Sequence, residues 1–309
     1  MISRKILSIQ SEIDELEKIL SSIPQEAAIE RFAFEKRLQK AQQELNSLDT
    51  ASATPETLRL TFRGAPVVGN KGIQADFAGK ASTAFSDAFS AILAGINSTL
   101  NYMGPIPDKA KHPLLITGTA VGSFGFEIEL PTNNDLFGEY SRADEAIESF
   151  RELLRVSAEG SDDDIADIVQ EIHPRAVRKV ADFLDLLHRH NAWCGLEFRE
   201  QYFKYSNIDQ LIVSEDRLRE GNIDEREEAY FGEFQGVLPQ GRTFEFKIAD
   251  GGSILRGKVD DGIEDPDVLN REFLHKPRNV TFDVVQVGQG RPRFTLKSLE
   301  KISAPEHEG

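Results

Sequence analysis

The chain has one cysteine, Cys194, so no disulfide can form within it. That composition suits a reducing cytosol rather than a cross-linked secreted scaffold. No apolar run approaches the ~20 residues that a membrane helix requires. The opening segment, MISRKILSIQSEIDELEKIL, has acids too early for a secretory leader. Positive charge is also scarce, with 36 Lys and Arg against 52 Asp and Glu, a net charge of −16. Such a surface does not coat nucleic acid or an anionic membrane as a whole, although a local basic patch still can. With one cysteine and six scattered histidines, no zinc-ligand spacing exists. GxSxG, HExxH and the dinucleotide fingerprint are absent too. These absences predict a cytoplasmic protein with no cofactor, no metal and no membrane partner.

The remainder is informative about organisation. A length of 309 residues with 39% hydrophobic content predicts two or three domains. Near the N-terminus, Ile2, Ile6, Ile9, Ile13, Leu16, Leu20 and Ile23 recur by four and three, which is a heptad seam. Pro24 is tolerated only in the first turn of a helix, so a second helix is expected to start near Ser22, with Ser22 and Gln25 spaced as a capping box. Phe34, Leu38, Ala41, Leu45 and Leu48 form its seam. Residues 1–48 therefore read as an antiparallel helical hairpin, a coiled coil with arms ~30 Å long. One narrow stripe needs something to pack on: the chain's own body, another copy, or a protein partner. Ile6, Ile9, Ile13, Leu16, Leu20, Phe34, Leu38 and Leu45 are the candidate residues for self-association.

Residues 49–56, DTASATPE, are small and polar and read as a linker. In TLRLTFRG, Leu58, Leu60 and Phe62 alternate with Arg59, Thr61 and Arg63, as on a strand with one buried face. A helix is expected from Phe77 to about Leu100. The stretch TAVGSFGFEIELP is rich in glycine, but no lysine follows Gly118 or Gly122, and the segment after Gly122 has period two. That is a hairpin turning near Val121–Ser123, not a phosphate loop. Helices come next, one capped by Ser161 or Asp162 and one opened by His173-Pro174, then the strands WCGLEFRE and QYFKYS. Residues 57–220 read as an α+β domain.

Residues 221–229 are highly charged and read as a second linker. From 230 to 303 five short strands and one inserted helical turn predict a small β-barrel of the OB or SH3-like kind, with a loose tail at 304–309. No signature motif of either fold is present.

Few residues suggest chemistry. Cys194 comes soon after His188 and His190, which raises a Cys–His nucleophile; the bland reading is a small buried residue beside a helix end. Glu245 and Lys247 make the E-x-K pattern of metal-dependent nuclease strands, without an upstream acid outside the charged linker. The acidic run 259–267 lacks EF-hand order. The weak catalytic candidates are thus Glu245, Lys247, Cys194 and His190. Against the chain's overall charge, Arg271, Lys276, Arg278, Arg291, Arg293 and Lys297 make a basic C-terminal end, with Phe294 among them. Those residues suit single-stranded nucleic acid, or docking on acids of the same chain or of a partner. Three function classes remain. The first is a non-enzymatic assembly or adaptor protein acting through the coiled coil and the barrel. The second is a nucleic-acid-binding module using the basic barrel face, of the sort a bacterial stress or phage-defence system employs. The third is a cryptic hydrolase or nuclease.

Overall fold

The computed structural model describes residues 2–23, 28–49, 56–101, 103–120, 124–131 and 142–304. Two helices come first, α1 (Ile2–Ser22) and α2 (Ala28–Asp49). Ser22 does not start the second helix. It is the last residue of α1, and its hydroxyl donates to Ile19 O at 2.7 Å. A serine near a helix end satisfies a preceding carbonyl as readily as it caps a new helix. Pro24 and Gln25 of the expected capping box lie outside the described residues. Arg31 Nη1 donates to Leu20 O and Ile23 O, each at 3.0 Å, and Arg37 pairs with Glu12 at 2.7 Å. Ile9, Ile13 and Ala41 form an apolar cluster flanked by Leu38 and Leu45, separate from the core of the rest of the chain.

Alternation then produces β1 (Thr57–Gly64), ahead of the short pair β2 (Val67–Val68) and β3 (Gly72–Ile73). Helix α3 (Ala75–Ile96) is rich in alanine; Ala81, Ala88, Ala91 and Ala94 are all buried. The helix stops short of the expected end near Leu100, because Asn97 and Ser98 turn the chain out of it. Next come β4 (Leu115–Ala120) and β5 (Phe124–Glu129), antiparallel as so short a connection between two strands requires. The expected turn at Val121–Ser123 lies outside the described residues. Gly125 does supply a close approach, since a Cβ there would run into the Leu60 carbonyl.

Three helices come after the hairpin: α4 (Ala143–Glu159), α5 (Asp162–Glu171) and α6 (Pro174–Arg189). Ser161 caps α5 in a reciprocal box with Asp164, and His173 caps α6 ahead of Pro174. Strands β6 (Ala192–Phe198) and β7 (Gln201–Lys204) precede α7 (Ile208–Leu218), a helix not expected from the sequence pattern although Asn207 caps it. One antiparallel sheet has the order β4-β5-β1-β6-β7. Its inner face carries Leu58, Leu60 and Phe62, each 0% exposed. Helices cover that face. The Phe77 ring meets Phe62 edge-on at 5.5 Å, and Phe85, Phe150 and Phe183 of α3, α4 and α6 form a triangle with centroids 5.0–5.9 Å apart. Each such ring contributes about 1.5–3 kcal/mol through burial.

The charged segment 221–229 is not a linker. It is the first part of β8 (Ile223–Leu238), one continuous strand paired with β11 (Arg278–Val287) from Ile223↔Val287 to Gly232↔Arg278. Its charges sit on strand faces; Arg226 bonds both Asp224 and Glu228, and Lys301 pairs with Glu227. Ile223 and Val287 join the core of the preceding sheet, so the strand is shared between the two halves. Strands β9 (Thr243–Ile248) and β10 (Ile254–Val259) precede β11; β12 (Arg293–Leu296) and the short β13 (Ile302–Ser303) come after it. The order β12-β10-β9-β8-β11 closes through β11–β12 into a five-stranded barrel, with β10 and β12 parallel. A single helical turn, Leu269–Phe273, sits before β11. There Asn270 bonds both the N–H and the carbonyl of Val237, each at 2.9 Å, beside the bulge of β8. The barrel core is phenylalanine, with Phe244 and Phe282 stacked at 5.0 Å and Phe234, Phe246 and Phe294 around them.

Candidate functional site

The densest polar geometry lies where α5 meets the barrel. Its acids, Asp162, Asp163, Asp164 and Asp167, gather around an N-terminus whose dipole favours negative charge. The β11–β12 loop lies against them. Asp162 accepts from the N–H of Gln289 at 3.2 Å, and Asp163 from that of Arg291 at 2.8 Å. Arg293 Nε donates to Asp167 at 2.6 Å, and its Nη2 to the Asp163 carbonyl at 3.3 Å. Gln170 donates to Thr295 Oγ1 at 2.8 Å and to Phe294 O at 3.1 Å, and Glu171 pairs with Lys258. Gly288 has φ +51°, and a Cβ on it would lie 2.5 Å from Asp162 Oδ2, so the loop needs glycine to seat there.

Of the basic end, this joint uses the Arg293 side chain and the Arg291 backbone N–H. Arg271 bonds Asp265 at 2.5 Å and Asp267 at 2.9 Å. Lys297 lies 3.9 Å from both Asp260 and Asp283. Lys276 donates to Glu272 O, and Arg278 donates to Pro277 O while lying over the Phe273 ring. Phe294 is only 7% exposed and packs against Tyr230 and Phe282, so it presents no ring face to a base. Arg293 and Lys297 are paired with acids distant in sequence, whereas Arg271, Lys276 and Arg278 bond groups within six residues of themselves.

The catalytic candidates do not assemble. Cys194 is 2% exposed on the inner face of the sheet, and burial pushes its thiol up to about 12. A thiol held protonated is not a nucleophile. His190 ends α6 with its ring 5.3 Å from Phe77. Glu245 bonds Arg256 at 3.0 Å on the outer barrel wall, where Lys247 is exposed. No cluster of metal-ligating side chains occurs among the described residues. Sequence reasoning missed a different pair. His188 Nδ1 lies 2.7 Å from Glu215, a fully buried carboxylate that Arg219 also bonds at 2.5 Å. The signal was available only through α7. The pair clamps α6 to α7.

Two clefts flank the turn between α5 and α6. One, of about 420 Å³, is lined by Ile92, Ile96, Arg151, Ile168 and His173 among others. The second, of about 320 Å³, is lined by Arg178, Glu220 and Glu225 among others. Burial holds the His173 imidazole below its usual range and raises the carboxyls of Glu225 and, farther along the barrel, Asp283. Such shifts accompany active sites and buried structural joints alike. Arg293 with Asp163 and Asp167, and Lys258 with Glu171, pair charge across the joint.

No protein-family model, curated protein or solved structure matches the chain.

The helices α1 and α2 are the other candidate. Ile9, Ile13, Leu16 and Leu20 are buried, and Phe34, Leu38 and Leu45 are half-buried. The Ile6 side chain lies outside the described residues. Phe32, 66% exposed, is a large apolar group that this pair shows to solvent.

Proposed function

We propose that the chain is a non-enzymatic assembly or adaptor protein, with α1 and α2 as an antiparallel coiled-coil arm and the rest as the unit it carries. The observation that carries this reading is the separateness of the helix pair's apolar cluster from the core of the body. Burial of the seam inside the pair leaves contact with a second copy to its outer side, where Phe32 projects. Native mass spectrometry of the full chain tests it. A homo-oligomer that becomes monomeric when residues 1–49 are deleted, and weakens on Phe32→Glu, is the expected result. A monomer at every concentration overturns assembly through these helices.

The barrel suggests a second reading. Numbered from β8, its order is 1-2-3-5-4 closing on 1, with a helical turn before the fourth strand. That is the arrangement of an OB-type barrel, whose second and third strands commonly hold oligonucleotides or oligosaccharides. Here those strands present Glu245, Lys247, Ile254 and Arg256, with Glu245 and Arg256 already paired. The assembly reading therefore takes precedence.

A further inference from the structure

The outer face of the five-stranded sheet is exposed at Arg59, Arg63, Tyr202 and Lys204. Register fixes which residues are neighbours there. One row across β5, β1, β6 and β7 is Glu127–Arg59–Glu197–Tyr202, the next is Gly125–Thr61–Gly195–Lys204, and Arg63 lies beside Trp193. In the first row Arg59 is shared by two acids, at 3.3 Å from Glu127 and 3.7 Å from Glu197, which leaves the row net negative.

The corner formed by β1, β6 and β7 differs. Among the described residues neither Arg63 nor Lys204 has an acid partner, in a chain where most arginines do. The Lys204 ammonium lies 5.8 Å from the centroid of the Tyr202 ring. Tyr202 is 53% exposed, and Trp193, on the same face across from Arg63, is half-buried with part of its ring against the core. The space over Gly195 is occupied by its neighbours: a Cβ there would sit 3.4 Å from the Tyr202 hydroxyl and 3.0 Å from Lys204 Cβ. The tyrosine hydroxyl thus reaches along the sheet as far as Gly195, two residues from Trp193 on the same face, and the Lys204 ammonium stays by the Tyr202 ring.

We propose that this corner, Arg63, Trp193, Tyr202 and Lys204, binds single-stranded nucleic acid. Two aromatic rings and two uncompensated cations match a strand that offers unstacked bases and phosphates together. A duplex hides its base faces, and an acidic peptide or phosphopeptide would use the cations while leaving the rings idle. Glu127 and Glu197 bound the footprint on one side by repelling phosphate. The net charge of −16 repels it elsewhere, which keeps the site local. Two phosphate contacts predict a shallow salt dependence, a slope of log K on log salt of roughly −1.4.

Trp193 is the only tryptophan in the chain, so its emission reports this corner directly. The full chain is titrated with oligouridylate or oligothymidylate of about ten nucleotides in about 50 mM salt. Saturable quenching of Trp193 is expected from at least one of them. Tyr202→Ala weakens binding about ten-fold or more through lost stacking. Arg63→Glu and Lys204→Glu each weaken it and flatten the salt slope. All three positions are exposed, and circular dichroism checks that each variant folds. Absence of quenching with both strands overturns the proposal. So does equal affinity for a duplex or for polyglutamate, or binding that survives the three variants but is lost on Lys276→Glu with Arg278→Glu in the barrel.

Discussion

Removing Arg293 tests whether the basic end of the chain is internal structure or free surface. The guanidinium lies 2.6 Å from Asp167, 3.4 Å from the Asp163 carboxylate, 3.3 Å from the Asp163 carbonyl and 3.1 Å from the Arg291 carbonyl. Its side chain is 21% exposed, whereas Asp167 is 65% exposed. Water screens the carboxylate pair, so that contact is worth about 0.5–1 kcal/mol. The two carbonyl bonds come from a mostly buried cation and add about 1.5 kcal/mol together. Arg293→Ala should therefore destabilise the chain by about 2 kcal/mol, of which the Asp167 contact supplies the smaller part. Asp167→Ala alone should cost about 0.5–1 kcal/mol, and the double variant should fall short of the sum by a similar amount. Urea unfolding monitored by circular dichroism gives the cycle, and hydrogen exchange at the β11–β12 loop locates the effect. A coupling below about 0.3 kcal/mol, with Arg293→Ala as stable as the parent, would refute the reasoning. It would return Arg293 to the pool of cations available to a ligand.

In the barrel, Phe282→Ala removes a fully buried ring stacked on Phe244 and should cost about 3–5 kcal/mol in urea unfolding, a loss under 1 kcal/mol contradicting the described core. Cys194 should ignore a disulfide reagent in the folded chain and react stoichiometrically in urea; fast native reaction would show that its thiol is neither buried nor protonated. His173 predicts a pH effect. Burial lowers its pKa, so below its ordinary value of 6.5 the unfolded chain binds the proton more readily than the folded one. The stability of the neutral cap is complete above pH 6.5 and is lost as pH falls through that value toward the folded-state pKa. His173→Asn keeps a cap acceptor without titrating, so its urea midpoint should drop less than the parent's between about pH 7.5 and 5.5. Identical drops would disprove the role. Glu225 and Asp283, raised by burial, act oppositely, their cost being present above their folded-state pKa and relieved as pH falls through it.

Local pattern was enough for much of this architecture. Alternation at Leu58, Leu60 and Phe62 specifies a one-faced strand, and Ser161 and His173-Pro174 mark helix starts, because periodicity and capping act within a few residues. The barrel was legible for the same reason, as short strands of phenylalanine alternating with polar groups. The segment 221–229 misled because a strand can carry charges on its faces when neighbours pair with them, as Arg226 does with Asp224 and Glu228. The roles of Arg293 and Phe294 in the basic end depend on contacts that no local pattern records. Arg293 meets Asp167 across 126 residues of sequence, and Phe294, next to it, turns into the barrel. Nor does sequence reveal that Arg63 and Trp193 are neighbours on one face while Cys194, one residue on, points into the core. Composition, helix ends and strand alternation come from interactions along the chain. Strand order, register and the pairing of distant charges come only from closing the sheet and the barrel, because they depend on which strand lies beside which.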